Sequence, residues 1–130
     1  RLITDSIDIV DAVIINLRID YIISVDNKSN SEIVIQTINS KLSEYFNIAN
    51  FQIDQPIYVA ELQNLIINTI GVVSLNDLTF VGLSGKVGSN SYSLNSYSPL
   101  RYLDRGILYP PAGGIFEIKF PTDDIRGNVY

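Results

Sequence analysis

Asp123-Asp124 is the only adjacent acidic pair in the chain, and paired carboxylates are what acid–base or metal chemistry would use. Both chemistries need several groups converging from different elements. Within Pro121-Thr122-Asp123-Asp124 the pair reads instead as a solvated turn after a strand. Gly82-Leu83-Ser84-Gly85-Lys86-Val87-Gly88 invites a phosphate-binding reading. It lacks the Gly-x-x-x-x-Gly-Lys-Ser/Thr spacing, and no helix start follows to present backbone amides, so it reads as a flexible connection. Asp26-Asn27 with Asn30 offers oxygens for calcium, but the spaced acids and terminal glutamate of a calcium loop are missing. Thr4, Ser6 and the other hydroxyls have no histidine to activate them, because the chain contains none. No catalytic, cofactor-binding or metal-ligating residue is therefore assigned, and neither enzymatic activity nor a small-molecule ligand is expected.

The interleaved Tyr97, Arg101, Tyr102, Arg105 and Tyr109 point to recognition rather than catalysis. Such side chains can stack on bases, and they are also the types enriched at protein interface hot spots. A net charge of −5 decides between the two, because nucleic acid and anionic membranes attract basic proteins. The blander alternative is an ordinary surface loop with tyrosines packed down. Phe116, Ile118 and Phe120 alternate with Glu117 and Lys119 as a final strand that Pro121 stops. Following irregular, proline-rich chain, that apolar strand needs its own domain or a partner to rest on. These three residues join the five above as the expected protein interface.

The elements that must position these groups are legible upstream. Leu17, Ile19, Tyr21, Ile23 and Val25 alternate with Arg18, Asp20, Ile22 and Ser24, the pattern of a half-buried strand. Ser29-x-x-Glu32 has capping-box spacing, opening a helix with Val34, Ile35, Ile38, Leu42, Tyr45 and Phe46 on one face. Phe51 and Ile53 suggest a short strand, Pro56 a helix start, Gly71 its stop, and Val72–Leu83 a strand bulged near Asn76-Asp77. Tyr92, Leu94 and Tyr97 could line a further strand within a glycine- and serine-rich run. The expected fold is α+β: a two-layer split β-α-β (ferredoxin-like) sandwich with a β-rich, irregular C-terminal extension. It divides into a connecting segment over 1–16, the sandwich over 17–83, and a loop-and-strand extension over 84–130 packed on the same domain or a partner. At 130 residues, 46% of them hydrophobic, this is one ordered domain's worth of chain. The absence of cysteine removes disulfides and zinc thiolates. No apolar run approaches the roughly 18 residues of a membrane span. Methionine is absent even at the first position, so a portion of a longer protein is expected.

Ile53-Asp54-Gln55-Pro56-Ile57 followed by Ile70-Gly71-Val72-Val73 resembles a signature of baseplate proteins from contractile-tailed bacteriophages. In the baseplate J-like family and its T-even-type wedge subunits, an apolar-x-Ile-Gly/Asp-Gln-Pro-Ile phrase precedes a helix that ends in a Gly-Val-Val strand. Asp54 stands where J-like relatives often carry glycine. Arg1-Leu2-Ile3-Thr4-Asp5-Ser6-Ile7-Asp8-Ile9 is similar to the T-even-type subunit in particular. So is Gly114-Ile115-Phe116-Glu117-Ile118-Lys119-Phe120-Pro121 with Asp124-Ile125-Arg126-Gly127. The matched phrases touch both ends and the middle of the chain and align least over 84–100. The resemblance implies the C-terminal part of a structural virion protein, a wedge subunit of the baseplate ring that rearranges on tail contraction. Its partners would be copies of itself and other wedge proteins, with no nucleic acid or membrane. Its place would be the tail baseplate, assembled in the host cytoplasm. A bacterial contractile injection or secretion machine is the alternative. A tail-associated glycan hydrolase module, which needs two carboxylates opposed across a cleft, is more distant.

Overall fold

A computed structural model describes residues 13–47 and 51–130, so the Arg1–Ile9 phrase and most of the expected connecting segment lie outside the described residues. The elements run β1 (Val13–Val25), α1 (Ser31–Tyr45), β2 (Ile57–Tyr58), α2 (Val59–Ile67), β3 (Val72–Leu83), β4 (Lys86–Val87) and β5 (Asn90–Ser91). They continue with α3 (Pro99–Tyr102), β6 (Leu103–Asp104), β7 (Ile107–Leu108), β8 (Gly114–Glu117), α4 (Pro121–Asp124) and β9 (Ile125–Val129). The architecture is mixed α+β, organised on β1.

The alternation along β1 sets the layers. Leu17, Ile19, Tyr21 and Ile23 are wholly buried against α1 and α2, while Arg18, Asp20, Ile22 and Ser24 turn to the opposite face. Burying each of the aliphatic members stabilises the fold by about 1.5–3 kcal/mol. Helix α1 contributes Val34, Ile38 and Leu42, spaced by four, and α2 contributes Leu62 and Ile66. The Tyr45 hydroxyl donates to Glu61 Oε1 at 2.8 Å, and its ring meets Phe46 and Phe51 edge-on where the helices converge.

Strand β3 lies antiparallel to β1, and its register slips where the sequence suggested. Ile22 faces Asp77 and Ile23 faces Leu75, which leaves Asn76 as the bulged residue. Gly71 is left-handed, with φ of +98°, but the helix it was expected to stop already ends at Ile67 with Asn68 as its cap, so Gly71 turns the chain into β3 instead. Near the other end Gly82 is required by close approach, since a Cβ there would stand 2.1 Å from the Tyr97 carbonyl oxygen. The absence of that side chain lets the segment carrying Tyr97 lie directly on β3.

Four other local expectations shift. The cap of α1 is Asn30, whose Oδ1 accepts from the Glu32 and Ile33 amides, so Ser29 is not the capping residue. Phe51 and Ile53 are not in a strand; Phe51 is a buried core residue stacked on Phe46. Pro56 does not open α2, because Ile57-Tyr58 pairs with Ile107-Leu108 and the helix begins only at Val59. Residues 92–97 form no strand, with Tyr92 buried and Leu94 exposed.

The C-terminal chain completes the sheet of the same domain. β8 runs parallel to β1 over Val13–Asn16, and β9 runs parallel to it over Ile19–Ile23. Between these ladders β1 advances three residues, from Asn16 to Ile19, while its partner advances eight, from Glu117 to Ile125. The expected strand to Phe120 therefore stops at Glu117, and the surplus chain turns out of the sheet through α4.

Candidate interaction surface

Phe116 is the floor of the aromatic region and is 1% exposed, its strand β8 locked beside Ile15. Tyr97 meets it edge-on, with ring centroids 5.5 Å apart. On its outer side Tyr97 stacks on Tyr102, at 4.8 Å and 22° between planes. The Tyr97 hydroxyl donates to the Tyr109 carbonyl oxygen, and the Tyr109 amide donates to the Tyr102 carbonyl oxygen at 3.1 Å. Burial, with the Tyr102 phenol beside it, raises the Tyr97 pKa, so this hydroxyl stays a donor across the physiological range. Three tyrosines thus fasten α3 and the β6–β7 hairpin into one fixed projection.

What this projection shows to solvent is apolar and basic. Leu100 is 87% exposed, Leu103 and Tyr109 are each 43% exposed, and Arg101 is exposed beside them. Arg105 occupies the hairpin turn with φ of +51°, followed by Gly106 at +79°. The left-handed conformation costs a non-glycine residue about 1–2 kcal/mol, and Asn or Gly is the usual occupant of such a turn. Among the described residues the Arg105 guanidinium has a 4.0 Å ion contact with exposed Asp104, which contributes little.

Of the expected interface residues, Tyr97, Tyr102 and Tyr109 contact one another and Arg101 lines a surface cleft with Tyr97 and Tyr102, while Arg105 stands at the β6–β7 turn and the other three lie on or near β8. Phe116 and Ile118 are buried at 1% and 6% exposure and serve as core. Their side chains are turned into the core, away from solvent, although among the described residues β8 pairs with β1 alone. Phe120 is half-buried, edge-on to Tyr92. Leu100 and Leu103 are exposed apolar residues that sequence reasoning missed; an apolar residue in irregular chain gives no local sign of which way it faces.

A second polar cluster sits where β8 gives way to β9. Asp124 is only 2% exposed, and both its carboxyl oxygens accept from the Tyr92 hydroxyl, at 2.8 and 3.0 Å. Burial raises its pKa above the ordinary 3.8 and Asp123 adds to the rise, while Tyr92, Arg126 and Arg18 pull it back. The solvated turn expected for Asp123-Asp124 thus applies only to Asp123, which is exposed and accepts from Asn90 Nδ2 at 2.9 Å. Arg18, Tyr92, Asp124 and Arg126 line an open cleft of about 510 Å³ under the β4–β5 hairpin. The 82–88 glycine run is the end of β3 and this hairpin, and presents no helix N-terminus. Among the described residues no group of three or more acidic side chains converges as a metal site would require. The chain matches no protein-family model and no curated protein.

Proposed function

We propose that this chain is a structural baseplate wedge subunit of a contractile phage tail, the C-terminal part of a T-even-type member of the baseplate J-like family. Its role is to make subunit–subunit contacts in the ring that rearranges on contraction. The observation that carries the assembly reading is the fixed projection of Leu100, Arg101, Tyr102, Leu103, Arg105 and Tyr109. Exposed tyrosines and arginines standing on a base of stacked, hydrogen-bonded tyrosines suit a protein partner, since these are the types enriched at interface hot spots. The phage reading rests on the matched phrases, and Asp54 supports it. Asp54 has φ of +64°, the conformation glycine takes freely, and relatives often carry glycine at that position. Its Oδ1 accepts from the Gly113 amide at 2.6 Å, an anchor that glycine lacks. Within this reading the two-layer core is a split β-α-β (ferredoxin-like) sandwich in which β8 and β9 share the place of one strand. Copies of the chain and other wedge proteins are the partners, and the virion baseplate is the location.

An antibody against the chain, applied to contractile tail particles from its source and viewed by electron microscopy, tests the reading. Decoration of the baseplate end of virion tails is expected. Decoration of sheathed structures in uninfected cells would transfer the reading to a bacterial injection machine, and decoration of neither would overturn it.

A further inference from the structure

Strand β3 is one margin of its sheet. Among the described residues its 12 residues pair with β1 alone, and no hydrogen bond reaches the outward backbone groups of 73–83. Proteins ordinarily blunt such an edge with lysine, proline or a bulge. β3 has its bulge at Asn76, but residues 77–83 run in unbroken register with β1 and hold neither lysine nor proline. The apolar layer also runs out here. Ile19, Tyr21 and Ile23 of β1 are wholly buried, whereas their cross-strand partners Phe80, Leu78 and Leu75 pack on the same core and stay half-buried. Open main-chain groups and uncovered apolar side chains thus coincide along one line.

We propose that the 77–81 edge pairs antiparallel with the same edge of a second copy of this chain, about a two-fold axis at Thr79. The inference rests on the assembly reading above for its partner and adds a surface other than the projection. A row of open N–H and C=O groups is satisfied by an extended strand, which fixes the kind of occupant. The sequence around Thr79 fixes which strand, because it is self-complementary. Directly opposed residues of an antiparallel pair share a face of the sheet. With Thr79 on the axis, Leu78 meets Phe80 of the second copy on the helix side, twice by symmetry, and covers what the core leaves open. On the other face Asp77 meets Val81, and the two Asp77 carboxylates stand about 13 Å apart along the strands. Moving the axis to Leu78 would set Phe80 against the bulged Asn76, and moving it to Phe80 would set Leu78 against Gly82. The opposite margin matches less well. β8 offers four residues, and β9 has Gly127 at its centre on the helix side, where Tyr21 fills the place of a side chain. The contact is isologous and uses one surface twice.

Charge placed on the axis tests this. Thr79 is exposed and its hydroxyl donates only to Asp77 Oδ2, at 3.0 Å, so Thr79→Asp and Thr79→Lys change the surface; circular dichroism with unfolding midpoints establishes that both variants fold. In sedimentation equilibrium the wild-type mass is expected to rise with concentration above 14.5 kDa. Each variant alone is expected to associate at least tenfold more weakly, because like charges oppose across the axis. Their equimolar mixture is expected to recover association as a mixed pair. The chain has no cysteine, so a single introduced thiol reads the register. Thr79→Cys is expected to form a disulfide-linked dimer on mild oxidation, whereas Asp77→Cys lies too far from its own copy to bridge. Association of either charged variant at wild-type strength, a mixture no stronger than its components, or equal crosslinking of the two cysteine variants would overturn the edge pairing. A wild-type chain monomeric at every concentration would overturn it too, while leaving the baseplate reading to stand or fall on the antibody decoration.

Discussion

The junction between β8 and β9 and the projection over 97–109 are built from similar side chains used in opposite directions. At the junction Tyr92 directs its hydroxyl inward to a buried carboxylate, and Asn90 holds Asp123, so polar groups are spent on joining the β4–β5 hairpin to the sheet. In the projection the Tyr97 hydroxyl is spent on holding a loop rigid, and the arginines and leucines are left outward. A tyrosine bonded internally stabilises in both places. What separates the two regions is where the charges and leucines around the tyrosine face: inward at the junction, outward on the projection.

Variants can break or sharpen that contrast. The largest effect is expected from Phe116→Ala, which removes the floor shared by the sheet and the projection. A loss of about 3–5 kcal/mol is expected from urea unfolding, enough to threaten a domain of ordinary stability. Tyr92→Phe leaves the Asp124 carboxylate buried without its donor and should cost about 2 kcal/mol, read as a lower unfolding midpoint. The same carboxyl makes the junction pH-sensitive. Its pKa is raised in the folded state, so the native chain binds the proton more tightly than the unfolded chain does. This contribution is fully present below the unfolded value and is lost as pH rises through the raised folded value. Asp124→Asn, which can still accept from Tyr92, should flatten that slope and raise stability at neutral pH; an unchanged slope in denaturant titrations would assign it to other groups. Arg105→Asn relieves the left-handed turn and should stabilise by about 1 kcal/mol. If the outward arginine serves binding, the same variant should associate more weakly, opposite signs that no purely structural role produces. Ile70→Asp should shift stability by no more than about 0.5 kcal/mol, since that side chain is exposed.

The match between sequence and structure divides along the same line. The alternation of Leu17, Ile19, Tyr21 and Ile23 reports the buried face directly, and the Asn76-Asp77 interruption marks the bulge at Asn76. Ile57 misled, because Pro56 is a sound local helix start and the competing partner, Leu108, lies far along the chain. The Asp123-Asp124 pair misled for a related reason. Nothing local says that five surplus residues between two ladders on β1 will turn one aspartate inward and leave the other in water. The contacts among Tyr97, Tyr102 and Tyr109 were approachable from sequence because the three fall within one short segment.

By itself the sequence determined the α+β class, the buried faces of β1 and α1, and the absence of any histidine or cysteine from the chain, because periodicity and composition act over a few residues. Tertiary structure alone decided that β8 and β9 share one side of β1 and that Ile57 extends before it coils. It also decided that Phe116 is floor while Leu100 is surface. Each of those outcomes depends on a neighbour tens of residues away, and the energy of such a contact is written in neither partner separately.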